Sequence, residues 1–168
     1  MKFKDSKAKL NSNSESKCRF LIKFLVISTL LFLVYLRIAE FLFSTTLVFA
    51  NLIMSILGYG YELSLESGAD LSDVFINLNI LAYIALILAT PKMEGVTTNK
   101  RIYFLIPGSI FLFIINASFI ASDTIISNAT AEPFIPALCV MFFGTFGQVF
   151  FPFVLWFALA HEWLFGNL

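Results

Sequence analysis

Cys18, Cys139 and His161 are the residues of this 168-residue chain that could support nucleophilic or redox chemistry. A cysteine attacks as its thiolate, which forms readily only beside a cation or a base. Cys18 lies in a polar, basic segment and Cys139 in an apolar run. If that run is one helix, His161 stands 22 positions beyond Cys139, or ~33 Å at 1.5 Å per residue. It cannot act as the base. Arg37 is the cation that a membrane topology can bring to the depth of Cys139. The plainer reading of Cys139 is a small packing residue, since free cysteine is among the most buried residue types. There is no CxxC and no Cys/His cluster, so neither a metal nor a redox cofactor is expected.

The neutral amides form a second constellation. Asn77 and Asn79 stand at the start of an apolar run over 76–89, Asn116 in the second half of a run over 102–121, and Gln148 in the middle of a run over 136–160. Together they could line a polar pocket between helices. The plainer reading is that they cap helix ends or bond across helices, each bond contributing about 1 kcal/mol. Arg37 and Glu40 share one face of a helix, where they can pair with each other as an interfacial anchor.

The elements that must position these residues follow from composition. Apolar residues make up 59% of the chain, more than a soluble domain of this length can bury. The expected fold class is an all-α membrane protein. Residues 1–19 hold five Lys and one Arg against two acids, spaced by Ser and Asn, and read as a cytoplasmic basic tail before one transmembrane domain over 20–168. Adjacency to a membrane segment explains the bases without nucleic acid. Residues 20–36 are a first span. A straight helix over 20–57 would be ~57 Å long, too long for a ~30 Å hydrocarbon core. That leaves two spans with a tight turn, or one crossing followed by a helix over 41–57 lying at the outer interface; the flanking charges favour the second.

The sequence Tyr61-Glu62-Leu63-Ser64-Leu65-Glu66 alternates with a strand period, Ser67-Gly68-Ala69-Asp70 signals a turn, and Leu71–Phe75 resumes the alternation less cleanly, so a short extracytoplasmic hairpin is expected over 59–75. Three further spans are expected over 76–90, 102–121 and 136–160, about four in all. Residues 59–73 and 122–135 carry acids without bases, while Lys92, Lys100 and Arg101 mark the intervening loop. The positive-inside rule then puts both termini in the cytoplasm of a multi-pass plasma (inner) membrane protein. Gly144 and Gly147 permit close helix approach. Trp156 and Trp163 suit an interface belt, and Asn128-Ala129-Thr130 matches a glycosylation acceptor.

Over roughly residues 40–160 the pattern resembles the exosortase/archaeosortase family, multi-pass transpeptidase-like enzymes that process sorting tails of surface proteins. There a Cys opens a membrane helix in a setting like D-A-C-N-G-L-N, ahead of an apolar run with a Phe-Pro or Tyr-Pro stop. Here the same place reads Asp73-Val74-Phe75-Ile76-Asn77-Leu78-Asn79, and the run stops at Thr90-Pro91. The family's L-N-x-x-R-I is matched by Ile115-Asn116-Ala117-Ser118-Phe119-Ile120. Its His ahead of a Gln-containing run with a downstream Trp is matched by Phe143, Gln148 and Trp156.

The resemblance implies a scaffold kept and a chemistry lost, with Phe75, Phe119 and Phe143 standing for the family's Cys, Arg and His. Those rings, with Asn77, Asn79, Asn116, Cys139 and Gln148, would line a vestigial site. With 21 Phe in the chain, abundance is the plainer reading of the trio. The implied function is non-catalytic, accessory to sorting of surface proteins. The implied partners are membrane lipid and an active exosortase or a sorting tail. Two other functions compete. A membrane-embedded cysteine transpeptidase or protease would use Cys139 with Arg37 or Glu40. A small transporter or channel subunit needs mid-membrane charges facing a water path, and these are scarce.

Overall fold

Residues 1–57 contain neither Gly nor Pro, the residues least tolerated inside a helix. In the computed structural model this stretch forms one helix, α1, Lys2–Ile56, ~83 Å long at 1.5 Å per residue. The structure describes residues 2–63, 75–91, 98–129 and 133–165, with side chains described between 17 and 161 in these stretches, Phe75 and Thr145 excepted. The expected separate outer helix over 41–57 is not formed. Arg37, Ala39 and Glu40 are good helix formers, so nothing there unwinds the backbone. Tyr35, Ala39, Phe43, Leu47, Ala50 and Met54 form a buried stripe along the second half, and packing of that stripe favours continuing the helix.

The helix ends where glycine allows it. Gly58 has φ +82°, a left-handed conformation that costs other residues a Cβ clash. Its N–H donates to the Ser55 carbonyl at 3.1 Å, and the Tyr59 N–H to the Met54 carbonyl at 2.9 Å. These are the two bonds of a Schellman cap, and Tyr59 packs near Met54 as that motif favours.

A 3-10 turn, Phe75–Asn77, leads into α2, Leu78–Ala89. Then follow α3, Thr98–Asn128, and α4, Phe134–Phe142. A π-helical turn, Phe143–Gly147, leads into α5, Gln148–Phe165. Residues 122–128, expected as loop, continue α3. Among the described residues there is no strand. The expected hairpin is absent from 59–63, Phe75 at its far end is in the 3-10 turn, and 64–74 lie outside the described residues. Instead Asn51 holds the extended chain. Its Nδ2 donates to the Leu63 carbonyl and its Oδ1 accepts the Leu63 N–H, both at 3.0 Å, as a neighbouring strand would.

Short α2 lies among α1, α3 and α5, and α3 touches all the other helices. Two apolar clusters fill the bundle. Tyr83, Ile87, Leu112 and Leu159 form one, and Ala50, Met54, Ala121 and Ile125 the other. Among the described residues two helices, Lys17–Ile56 and Thr98–Asn128, are long and apolar enough to cross a membrane; Leu78–Ala89 and Gln148–His161 are apolar but shorter.

Gly58→Ala adds a Cβ in the left-handed conformation. It is expected to cost about 1 kcal/mol, read as a lower unfolding midpoint in detergent micelles.

Candidate functional site

Between the two apolar clusters lies a cluster of buried polar groups. Asn77 occupies the N-cap position of α2 but makes no capping bond with its side chain. Its carboxamide turns to the neighbouring helices instead. Nδ2 donates to Thr46 Oγ1 on α1 at 3.1 Å, and Oδ1 accepts from Asn116 Nδ2 on α3 at 2.9 Å. The Tyr35 hydroxyl is hydrogen-bonded to the Asn77 backbone.

Asn116 is the hub. Its Nδ2 donates to Asn77 Oδ1 at 2.9 Å and to Asn79 Oδ1 at 3.0 Å. Its Oδ1 accepts from Asn79 Nδ2 at 2.9 Å and from Gln148 Nε2 at 3.2 Å. Both N–H groups and both lone pairs are used, the most a carboxamide can do. Asn77, Asn79, Asn116 and Thr46 are all buried, and Gln148 is half-buried. The bonds therefore run across helices, the plainer of the two sequence readings.

A backbone group also joins this knot. Asn79 Nδ2 also donates to the Gly147 carbonyl at 3.4 Å. Gly147 closes the π turn. Pro152 supplies no N–H to the Gln148 carbonyl and its ring crowds that group, while two glycines let the turn widen. They also admit α3. A Cβ on Gly144 would meet Phe119 Cε2 at 2.8 Å, and one on Gly147 would meet Ile115 Cγ2 at 2.9 Å.

Two aromatic residues of the proposed vestigial site, Phe119 and Phe143, sit at this turn. Phe119 covers Gly144. Phe143 starts the π turn and meets Phe142 edge to face, centroids 5.8 Å apart. Phe75 starts the 3-10 turn, and its ring lies outside the described residues. Cys139 is a free, half-buried thiol on α4. It belongs to no part of the amide network. Arg37 and Glu40 are exposed on α1. His161 is exposed on α5, with Nδ1 3.0 Å from the Ala158 carbonyl.

A second polar knot ties the other end of the bundle. Trp156 Nε1 donates to Thr90 Oγ1 at 2.9 Å, and Thr90 Oγ1 donates to the Leu86 carbonyl at 2.7 Å. Arg101 Nη2 donates to the Thr90 carbonyl. Phe20 of α1 stacks on Trp156, centroids 5.7 Å apart. Nearby, the Tyr83 hydroxyl donates to the Phe104 carbonyl at 2.6 Å. It passes over Gly108, where a Cβ would lie 2.3 Å from that hydroxyl.

Sequence reasoning missed Thr46, Tyr35, the Gly147 carbonyl and the Thr90 knot. No local signal marks Thr46, one of several hydroxyl residues in α1. Gly147 was legible as a contact residue, not as an acceptor.

Chemically the amide cluster is inert. Carboxamides do not titrate near neutral pH, so the network can neither move a proton nor form a nucleophile. Among the described residues no group of three His, Cys, Asp or Glu converges to hold a metal. What the arrangement does is lock four helices at one level. Among the described residues the fold and site thus define an all-helical bundle with two membrane-length helices and an amide-locked interior. No family model, curated protein or solved structure matches the chain.

Asn116→Leu strips all four bonds from the hub and leaves Asn77 Oδ1 and the Asn79 amide buried without that partner. It is expected to destabilise by about 3 kcal/mol. Gln148→Leu removes one bond and should cost about 1 kcal/mol. Equilibrium unfolding in mixed micelles orders the two.

Proposed function

We propose that this chain is a multi-pass membrane protein that accompanies, without catalysing, the processing of surface proteins by an exosortase-like transpeptidase. The observation that carries the reading is the convergence of Asn77, Asn79, Asn116 and Gln148. These are the amides aligned with the family's scaffold. The positions aligned with its nucleophile, cation and base hold Phe. The convergence makes chance spacing of the asparagines a poorer account of the resemblance.

Four crossings follow if α2 and α5 traverse the bilayer beside α1 and α3. Their shortness is compatible with a bundle whose polar knot sits near one membrane face. Lys17, Arg19 and Lys23 flank Phe20, which stacks on Trp156. Arg101 bonds to Thr90, the residue that Trp156 also reaches. Bases thus gather at one end of the bundle. Glu62 and Asp123 lie toward the other, where Tyr61 donates to the Asn128 carbonyl at 3.2 Å. By the positive-inside rule the Trp156 end is cytoplasmic, with both termini.

Catalysis by Cys139 with Arg37 is the less favoured reading. Cys139 is on α4, which packs on α3, while Arg37 is on the exposed side of α1. Among the described residues no cation is paired with the thiol, which needs one to ionise.

The test is genetic and biochemical. Deleting the chain in its host should make surface proteins with C-terminal sorting tails accumulate unprocessed. Cys139→Ala should restore processing to the wild-type level, and Asn116→Leu should not. Unchanged processing after deletion would refute the accessory role, and failure of Cys139→Ala to complement would make the chain an enzyme.

A further inference from the structure

We propose that this chain pairs with a second copy of itself along α1, through two reciprocal ion pairs between Arg37 and Glu40. The inference goes beyond the accessory role and rests only on α1 lying in a membrane.

The face of α1 that packs against the bundle runs from Tyr35 through Ala39, Phe43, Thr46, Leu47 and Ala50 to Met54 and carries no charge. Arg37 and Glu40 fall outside that stripe and are exposed. Among the described residues neither has an ion-pair or hydrogen-bond partner. The exposed surface around them is apolar on both sides. Leu30 and Leu33 precede the charges, and Phe41, at 72% exposed, and Val48 follow. At 100° per residue Leu30, Leu33, Arg37, Phe41 and Val48 share one side of the helix.

This surface does not fit a bilayer by itself. From residue 20 to residue 57 it runs ~55 Å along the helix. A hydrocarbon core is ~30 Å thick, and even a tilt of ~40° leaves a projection of ~42 Å. A membrane that covers the whole surface immerses both charges in hydrocarbon. One that stops at Arg37 leaves Phe41, Val48, Leu52 and Ile56 facing water. Each placement puts exposed groups in the wrong solvent.

A second α1 removes both conflicts. Copies inserted the same way are related by a two-fold axis along the membrane normal, so their charges meet at matched depth. Glu40 lies one turn from Arg37, ~4.5 Å along the axis. Each Arg37 therefore reaches Glu40 of the second copy, and the pair forms twice. The same contact covers the apolar stripe. One acid and one base a turn apart form a self-complementary pattern, which is what favours this chain as its own partner.

The full-length protein, labelled with donor or acceptor dye at its C-terminus and reconstituted in lipid vesicles, tests this. Wild type should show energy transfer that falls with lipid dilution as a dimer's does. R37E puts two acids on the face and E40R two bases. Each alone should lose at least tenfold in self-association, with helix content and unfolding midpoint unchanged because both sites are exposed. Mixed one to one, R37E and E40R should associate as wild type does. A monomeric wild type, single variants that pair normally, or a mixture that stays apart would each overturn the proposal. So would charge-dependent capture of α1 by a different membrane protein with no self-pairing. Release of the protein from membranes by alkaline carbonate would instead refute the membrane placement itself.

Discussion

A carboxamide removed from water must find partners for two N–H groups and two lone pairs, and Asn116 finds all four inside the bundle. The rest of the structure is arranged around that requirement. In an apolar surround an unmet amide is expensive, so the helices that supply the partners cannot slide or rotate independently. α2 must present Asn77 and Asn79 at one level, and α5 must present Gln148 there. The Gly147 carbonyl must face inward to take the remaining Asn79 hydrogen. Apolar packing alone would tolerate many registers of four greasy helices; the amide hub selects one.

The backbone exceptions serve that register. Where glycine and proline are absent, α1 runs on without a break. Where they occur, helices come close. Gly108 admits the Tyr83 ring, Gly144 admits Phe119, and Gly147 admits Ile115. Pro152 and the two glycines open a π turn beside the hub. The Thr90 knot does similar work at the other end, tying α2, α3 and α5 within reach of Phe20. Two polar knots separated by apolar packing thus tie the bundle at two levels.

Much of the frame was legible in the residues. The helical, membrane-like character followed from apolar runs, and the amides announced themselves as the polar residues inside those runs. The stop at Thr90-Pro91 was readable from proline. The extent of α1 was not. Bilayer thickness does not end a helix; backbone propensity and side-chain packing decide where it ends. The hairpin expected from alternation was also misread over 59–63. There an Asn51 side chain, 12 residues away, supplies the backbone partners that a strand would have.

The sequence by itself determined that this chain forms helices, that their surfaces are apolar, and that its polar residues are too few to be scattered at random without cost. Those are local properties, set by side-chain chemistry and by the presence or absence of Gly and Pro. Only the tertiary structure decided that Asn77 would bond across helices instead of capping its own, that Thr46 and a backbone carbonyl would join it, and that Cys139 would stay apart. Hydrogen-bond partners tens of residues apart are chosen by how helices cross, and crossing depends on the whole set of packed faces at once.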